Sequence, residues 1–367
     1  MNRIWMIFIS LMISASSFAK ELNIRLVPYS SLKSKYHFQE KGGISSRVGE
    51  DSEPVLIITT SRGWVVKLNR QGQILWRHKS SCTPITEPEL DENQIFYACK
   101  EGELLALGQN TGKESWKIKF YDSIAGSPRT NDQLVIFQTG NGAIFALDKK
   151  TGTIKWVTRE NSRYTLSLIG ASQPLIIAEK VYVGLSDGTL TVFNIHNRDL
   201  IWKKRLFDRP VISDLDFNLM ADDDQIYASS REGICAISKT TEKIFWCLNE
   251  QLITNPAMDQ NFIYALNADN QFIFIDKSVG TIEGKFELNL KKPEKFENEQ
   301  FVGIFPVDQE KIIFVLSNYH LWKIDPSTNS IQLFKKFRKK IVKAQTMNQN
   351  LFLLSSNGKL IIIELLK

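Results

Sequence analysis

The stretch TGKESWKIKF occupies residues 111–120, and TGTIKWVTRE occupies 151–160. In each, a tryptophan lies four residues beyond the glycine of a Thr-Gly pair, and the two tryptophans, Trp116 and Trp156, are 40 residues apart. A sentence rewritten at a fixed interval marks a repeat architecture, in which one supersecondary unit is copied along the chain.

Working outward from these two copies, the unit is a β-rich run, a turn, a second run, a Gly- or Asn-containing turn, and a third run that often ends in Trp. It appears at 55–76, 94–116, 134–156, 180–202 and 225–246, each ending in Trp. It continues at 262–284 and 311–333, with Gly284 and Leu333 in the Trp place. An eighth copy, LFLLSSNGKLIIIELLK (351–367), stops after two runs. The starts lie 37 to 49 residues apart, the interval of a β-propeller blade. Alternating β-branched and aromatic residues, as in VYVGL (181–185) and IFALD (144–148), suit pleated, half-buried strands. The RG, EG, NG and DG pairs between runs tolerate the positive φ of tight hairpins. No sustained 3.6-residue period follows residue 19, which excludes a helical solenoid.

Each copy supplies the second, third and fourth strands of a blade, and the first strand lies in the segment before it. The fold class is therefore all-β, an eight-bladed propeller. The last copy lacks a fourth strand, and ELNIRLVP (21–28) has no blade of its own. This N-terminal strand is expected to complete blade eight and close the ring, which removes exposed sheet edges. The recurring Trp is expected to fill the wedge between blades, and the glycine before it to make the turn into the fourth strand.

Composition agrees with a globular protein, at 43% hydrophobic and 23% charged residues. The net charge of +6 is spread along the chain, unlike the clustered basic face of a nucleic-acid binder. The densest basic run, KKFRKK (335–340), falls where an inter-strand loop is expected and reads as solvated. The charged insert KKPEKFENEQ (291–300) reads the same way. The N-terminus has one positive charge at Arg3, a mostly apolar stretch IWMIFISLMISA, and small residues Ser17 and Ala19 before Lys20. This is the layout of a secretory signal peptide over residues 1–19, too short to span a bilayer. Residues 20–367 then form a single exported domain.

Four cysteines remain, Cys82, Cys99, Cys235 and Cys247, an even number consistent with disulfides in an exported chain. Cys82 precedes a first strand, and Cys99 ends the second strand of the same blade. Cys235 and Cys247 lie in the third and fourth strands of blade five. Antiparallel pairing brings both sets within reach of a disulfide, so Cys82–Cys99 and Cys235–Cys247 are the expected bridges. No C-x-x-C occurs, and the four histidines (His37, His78, His196, His320) are scattered, so no metal site is expected.

With A-L-D-x-x-T-G-x-x-x-W at 146–156, the repeat resembles the pyrroloquinoline-quinone (PQQ) type propeller repeat over nearly the whole chain. Two families share it, the quinoprotein dehydrogenases and the eight-bladed BamB subunits of the outer-membrane β-barrel assembly (BAM) machinery. The dehydrogenases hold their cofactor against adjacent cysteines and a Ca²⁺ ion. This chain has no adjacent cysteines and no Ca²⁺-loop spacing, so no cofactor and no catalysis are expected. RYTLSLIGASQP (163–174) and VISDLDFNLMADDDQIYAS (211–229) look like two BamB segments that bind the POTRA domains of the central subunit, BamA. Carried over, the partner-binding positions are Leu166, Leu168, Asp214 and Asp216. The family's Arg falls on Ile169, which loses a fork-shaped donor suited to carboxylates, and its Pro falls on Leu219.

Each segment also has a plainer reading. Leu166 and Leu168 would be first-strand core residues of blade four, and Asp214 and Asp216 turn formers. The resemblance implies a non-enzymatic, monomeric periplasmic scaffold that meets BamA and other BAM subunits, with no nucleic acid or small-molecule substrate. BamB proteins usually carry a lipid-anchored Cys at the cleavage site. No Cys precedes Cys82 here, so attachment to the outer membrane is expected through partners. The competing class is an exported propeller scaffold for another envelope protein or a glycan, since a fold does not fix a function.

Overall fold

The chain is described from a computed structural model. It covers residues 24–26, 44–47, 55–60, 62–69, 73–159, 172–207, 215, 217–288, 300–307, 312–328, 330–347, 350–356 and 360–364. The expected signal peptide and nearly all of the 291–300 insert lie outside the described residues.

The strands assort into eight four-stranded antiparallel sheets. Seven are consecutive in sequence. Blade one, for example, runs Ile44–Arg47, Val55–Thr59, Trp64–Asn69 and Ile74–Lys79 from its inner to its outer strand. The eighth contains Ile341–Met347, Asn350–Ser355 and Leu360–Glu364, and its outer strand is Ile24–Leu26 from the opposite end of the chain. Ile24 pairs with Ile363 and Leu26 with Ile361. The ring is closed by the N-terminal strand, as the truncated last repeat requires.

Successive residues of a strand point to opposite faces of its sheet. In the second strand of blade two, Ile95 and Tyr97 pack against blade one, and Phe96 and Ala98 against blade three. The same alternation recurs in every blade, so the core divides into eight apolar clusters, each shared by two neighbours. The cluster between blades eight and one joins Phe352, Leu354, Leu360 and Ile362 to Leu56, Ile58, Val66 and Leu68. Outer strands behave differently. Ile74–Lys79 alternates half-buried and exposed residues, because only one of its faces meets a neighbour.

The recurring tryptophan is the clamp between blades. The indole Nε1 of Trp76 donates to the Gln109 carbonyl at 2.9 Å, that of Trp116 to Lys149 at 2.9 Å, that of Trp156 to Ile195 at 2.8 Å and that of Trp246 to Lys277 at 2.9 Å. Every acceptor belongs to the next blade. The Thr-Gly turn of that next blade seats the same ring. A Cβ on Gly112 would lie 2.6 Å from Trp76, one on Gly152 2.8 Å from Trp116, and one on Gly280 2.3 Å from Trp246. These glycines also have positive φ, 74° at Gly152. Arg198 and Glu242 hold the same place in blades four and five at φ 62° and 58°. Trp156 keeps its hydrogen bond against Arg198, whereas Trp202 Nε1, facing the Glu242 turn, is buried with no partner among the described residues. The structure offers no account of that difference. In blade six Gly284 replaces Trp, and the Phe274 ring on the paired strand takes up the space.

An acceptor closes the turn. Asp148 Oδ1 accepts from the amides of Lys150 and Thr151 at 3.0 and 2.9 Å, and Asp276 and Asp325 bond the amides two and three residues on. The amide of Thr151 is the main influence holding the Asp148 carboxyl below its ordinary range. The Asp of A-L-D-x-x-T-G is therefore a turn builder.

Both disulfides form as the strand layout predicts, with Cα–Cα distances of 5.9 Å for Cys82–Cys99 and 4.1 Å for Cys235–Cys247. Cys235 and Cys247 are directly paired across the third and outer strands. The basic run departs from expectation. Lys335 and Lys336 end the outer strand of blade seven, Ser330–Lys336, and only Phe337–Lys340 forms the connection to blade eight. The first strand of blade four is Leu175–Ile177, and Leu166 and Leu168 lie outside the described residues.

The glycine seats give a paired test. Gly142 also has positive φ, at 81°, yet no atom lies within 4 Å of its missing Cβ. Gly142→Ala should cost about 1 kcal/mol, the left-handed backbone penalty alone. Gly152→Ala adds a collision with the Trp116 ring and should cost about 3 kcal/mol or more. Urea denaturation of the two variants measures the difference.

Candidate interaction face

In an antiparallel blade the connections alternate between the two ends. One face of the ring carries the inner-to-second connections and the Thr-Gly turns. The other carries the second-to-third hairpins and the loops that pass from each outer strand to the next blade.

The Thr-Gly face is knitted by ion pairs that cross blade boundaries. Lys149 of blade three meets Asp91 of blade two at 2.8 Å, and Lys277 of blade six meets Asp222 of blade five at 2.7 Å. Tyr227 Oη donates to Asp222 at 2.8 Å, and Lys239 donates to the Asp222 carbonyl. Burial pushes the Asp222 carboxyl up, but hydrogen bonds from Lys277, Tyr227 and the amides of Gln225 and Asp224 outweigh it and hold the group at about 2. Burial and the adjacent carboxylate raise the Tyr227 phenol. A cavity of about 610 Å³ opens here, lined by Asp222, Asp223, Asp224, Asp259 and Lys277 among others. A second, of about 310 Å³, lies at the boundary of blades three and four against Trp156, Asp148 and His196. Asp222, Lys277 and Asp148 are committed to structural bonds, and no nucleophile, base and orienting group converge in either cavity.

The described histidines are also apart, His78 in an outer strand, His196 in a turn and His320 at a strand start. The one cluster of potential metal ligands among the described residues, Cys82, Cys99 and Glu101, has both sulfurs tied in a disulfide.

The inter-blade face is built for presentation. Between blades two and three, Phe120 and Ile124 are buried, whereas Tyr121 between them is fully exposed at 113%. The loop is held from both sides. Asp122 accepts from the amides of Ser123 and Asn141 at 2.8 Å each, Phe120 donates to the Gly102 carbonyl, and Gly140 donates to Ser123. A rigid loop that lifts an aromatic ring into solvent is a ready anchor for a protein partner. Tyr121 escaped the sequence reading, and its signal is positional. The equivalent place in the loop from blade one to blade two holds Ser81.

The next two loops on this face carry the sequence-predicted positions. Leu166, Leu168, Ile169, Asp214 and Asp216 all lie outside the described residues. Their flanks are placed. Ser172 is fully buried and accepts from the Gly184 amide at 3.1 Å. Leu215, Phe217 and Leu219 are buried at 1%, 8% and 7% exposure, and Leu219, at the expected proline position, belongs to the core between blades four and five. Beyond them, Ile253 in the loop from blade five to blade six is 39% exposed.

A closed ring of eight four-stranded PQQ-like blades defines the β-propeller class. A family model described as outer membrane protein assembly factor BamB matches residues 61–283, more than half of the chain, and the chain belongs to that family. It is 23% identical over 224 residues to outer membrane protein assembly factor BamB of Yersinia pestis, covering 58% of this chain and 56% of that one. It is 21% identical over 195 residues to the protein of that name in Moranella endobia, covering 51% and 50%. The chain thus spans about half the length of these curated relatives. The crystal structure of BamB from Moraxella catarrhalis aligns with a TM-score of 0.76 at 18% identity, over 93% of this chain and 100% of that chain, a likeness that bears on the fold.

Asp222 gives a pH test. Its folded value of about 2 lies below an unfolded value of about 3.9. Its contribution is therefore complete above about pH 4 and is lost as the pH falls towards 2. Asp222→Asn should melt below the wild type at neutral pH, and the gap should narrow below pH 4. A gap constant from neutral pH down to about pH 2 would show that the charge of Asp222 contributes nothing.

Proposed function

We propose that this chain is a non-enzymatic scaffold of the outer-membrane β-barrel assembly complex. It works in the periplasm at the inner face of the outer membrane and binds the POTRA domains of BamA through its inter-blade face. The observation that supports this most is family membership combined with the position of the two BamB-like segments. In sequence, 163–174 and the start of 211–229 fall between consecutive blades, in the two connections that follow the one presenting Tyr121. Leucines together with carboxylates and an exposed aromatic have the mixed composition typical of non-obligate protein interfaces. Ile169 in place of the family's arginine leaves this interface more apolar and without a bidentate donor. A rigid ring needs little rearrangement to bind, so the entropic cost falls on the partner.

The deciding measurement is binding of the purified protein to the POTRA domains of BamA from its own host. The intact protein should bind. Leu166→Ala, Leu168→Ala, Asp214→Ala and Asp216→Ala combined should weaken binding at least about 100-fold with cooperative melting retained. Ile169→Arg should tighten it. An intact protein that fails to bind would remove BamA as the partner, and unchanged binding by the quadruple variant would move the contact off these loops.

A further inference from the structure

The connection from blade seven to blade eight differs in charge from the other described connections on its face. Those carry carboxylates, Glu87 between blades one and two, Asp122 between blades two and three and Glu250 between blades five and six. This one, together with the end of the strand before it, carries Lys335, Lys336, Arg338, Lys339 and Lys340 within six residues. Lys336, Arg338 and Lys339 are exposed, and Lys335 is half-buried. Among the described residues no ion pair involves these four.

The segment is also fixed in place. Lys335 and Lys336 are paired with Leu321 and His320 in the blade-seven sheet. The Phe337 amide donates to the Tyr319 carbonyl, Ile341 to Asn318, and Ser356 of blade eight to the Lys340 carbonyl, each at 2.7 Å. Phe337 packs on the apolar cluster between the two blades. The residues of the flanking hairpins that make these bonds, Asn318, Tyr319 and Ser356, carry no carboxylate. Concentrating like charges on a rigid support costs repulsion, and among the described residues no ion pair to Lys335, Lys336, Arg338 or Lys339 offsets it.

We propose that Lys335–Lys340 is a docking site for the surface of an anionic phospholipid bilayer. The exposed Lys336, Arg338 and Lys339 side chains lie along an extended strand end and loop. The run's one aromatic ring is turned into the core and gives no platform for stacking bases. What remains is recognition of dense, extended negative charge, and clusters of four to eight Lys and Arg bind anionic lipid headgroups in this way. A chain of an outer-membrane assembly family works beside such a surface. Because Phe337 is held against the protein, adsorption is electrostatic and involves no insertion. The cluster lies half a ring away from the loops proposed to meet BamA, so the two sites are independent and can be occupied together.

The test is co-sedimentation of the purified protein with phosphatidylcholine vesicles, pure or containing about one-third phosphatidylglycerol. The intact protein should bind only the anionic vesicles and be released as salt rises from about 0.05 M to about 0.5 M. Lys335→Gln, Lys336→Gln, Arg338→Gln and Lys339→Gln combined should lower partitioning at least about 100-fold. A charge-matched control with Lys100→Gln, Lys113→Gln, Lys150→Gln and Lys243→Gln should stay within about threefold. Thermal melting checks that both variants fold. The proposal is overturned if the intact protein ignores anionic vesicles, if it binds neutral ones equally, or if both variants lose binding alike. A cluster variant that loses POTRA binding but keeps vesicle binding also overturns it and makes the run a protein contact.

Discussion

The second and third strands of each blade are apolar on both faces, and a strand buried on both sides must be covered twice. In blade two, Ile95 and Tyr97 need blade one while Phe96 and Ala98 need blade three. No blade can bury its own core, and only a closed circuit leaves no face uncovered. The rest of the structure serves this constraint. Outer strands that meet one neighbour alternate in polarity, indoles hydrogen-bond across four of the seams, and the strand Ile24–Leu26 completes the last sheet.

The seam lock couples backbone conformation to packing. A Thr-Gly turn is needed to enter the outer strand, and its positive φ alone would favour glycine. The contact of Trp116 with Gly152 adds a second demand at the same atom, since a side chain there would occupy the space of the indole. The indole in turn donates to a carbonyl of that turn. One residue choice thus satisfies a hairpin in one blade and an interface with the blade before it. This is why the short stretch at 111–120 could be read as a fold. Its Thr, Gly and Trp are separate signatures of one contact repeated along the chain, and repetition makes a weak local signal strong. Disulfide positions were legible for the same reason, because strand register places Cys235 opposite Cys247.

The candidate site was legible in another way and to a lesser depth. Inter-blade loops have no period, and packing within the ring does not dictate their exposed side chains. Leu166, Leu168, Ile169, Asp214 and Asp216 could be named only through likeness to BamB segments, whereas their buried neighbours Leu215 and Leu219 follow from core packing. Tyr121 sits in the connection between blades two and three, with buried Phe120 and Ile124 on either side of it, and adjacent aromatics give no hint of which one faces solvent. The basic run was visible as composition, but its support was not. That the strand continues through Lys336, and that Phe337 is tucked inward, depends on pairing with residues far enough away in sequence to leave no local trace.

Among the described residues, the strand Ile24–Leu26 pairs with Leu360–Glu364 alone, so one short ladder clasps two segments that are remote in sequence. Undoing that clasp would bare the backbone edge of Leu360–Glu364, an open template for another strand. The same three-residue ladder that completes the eighth sheet is thus also what keeps the ring from offering an edge to a second copy of itself.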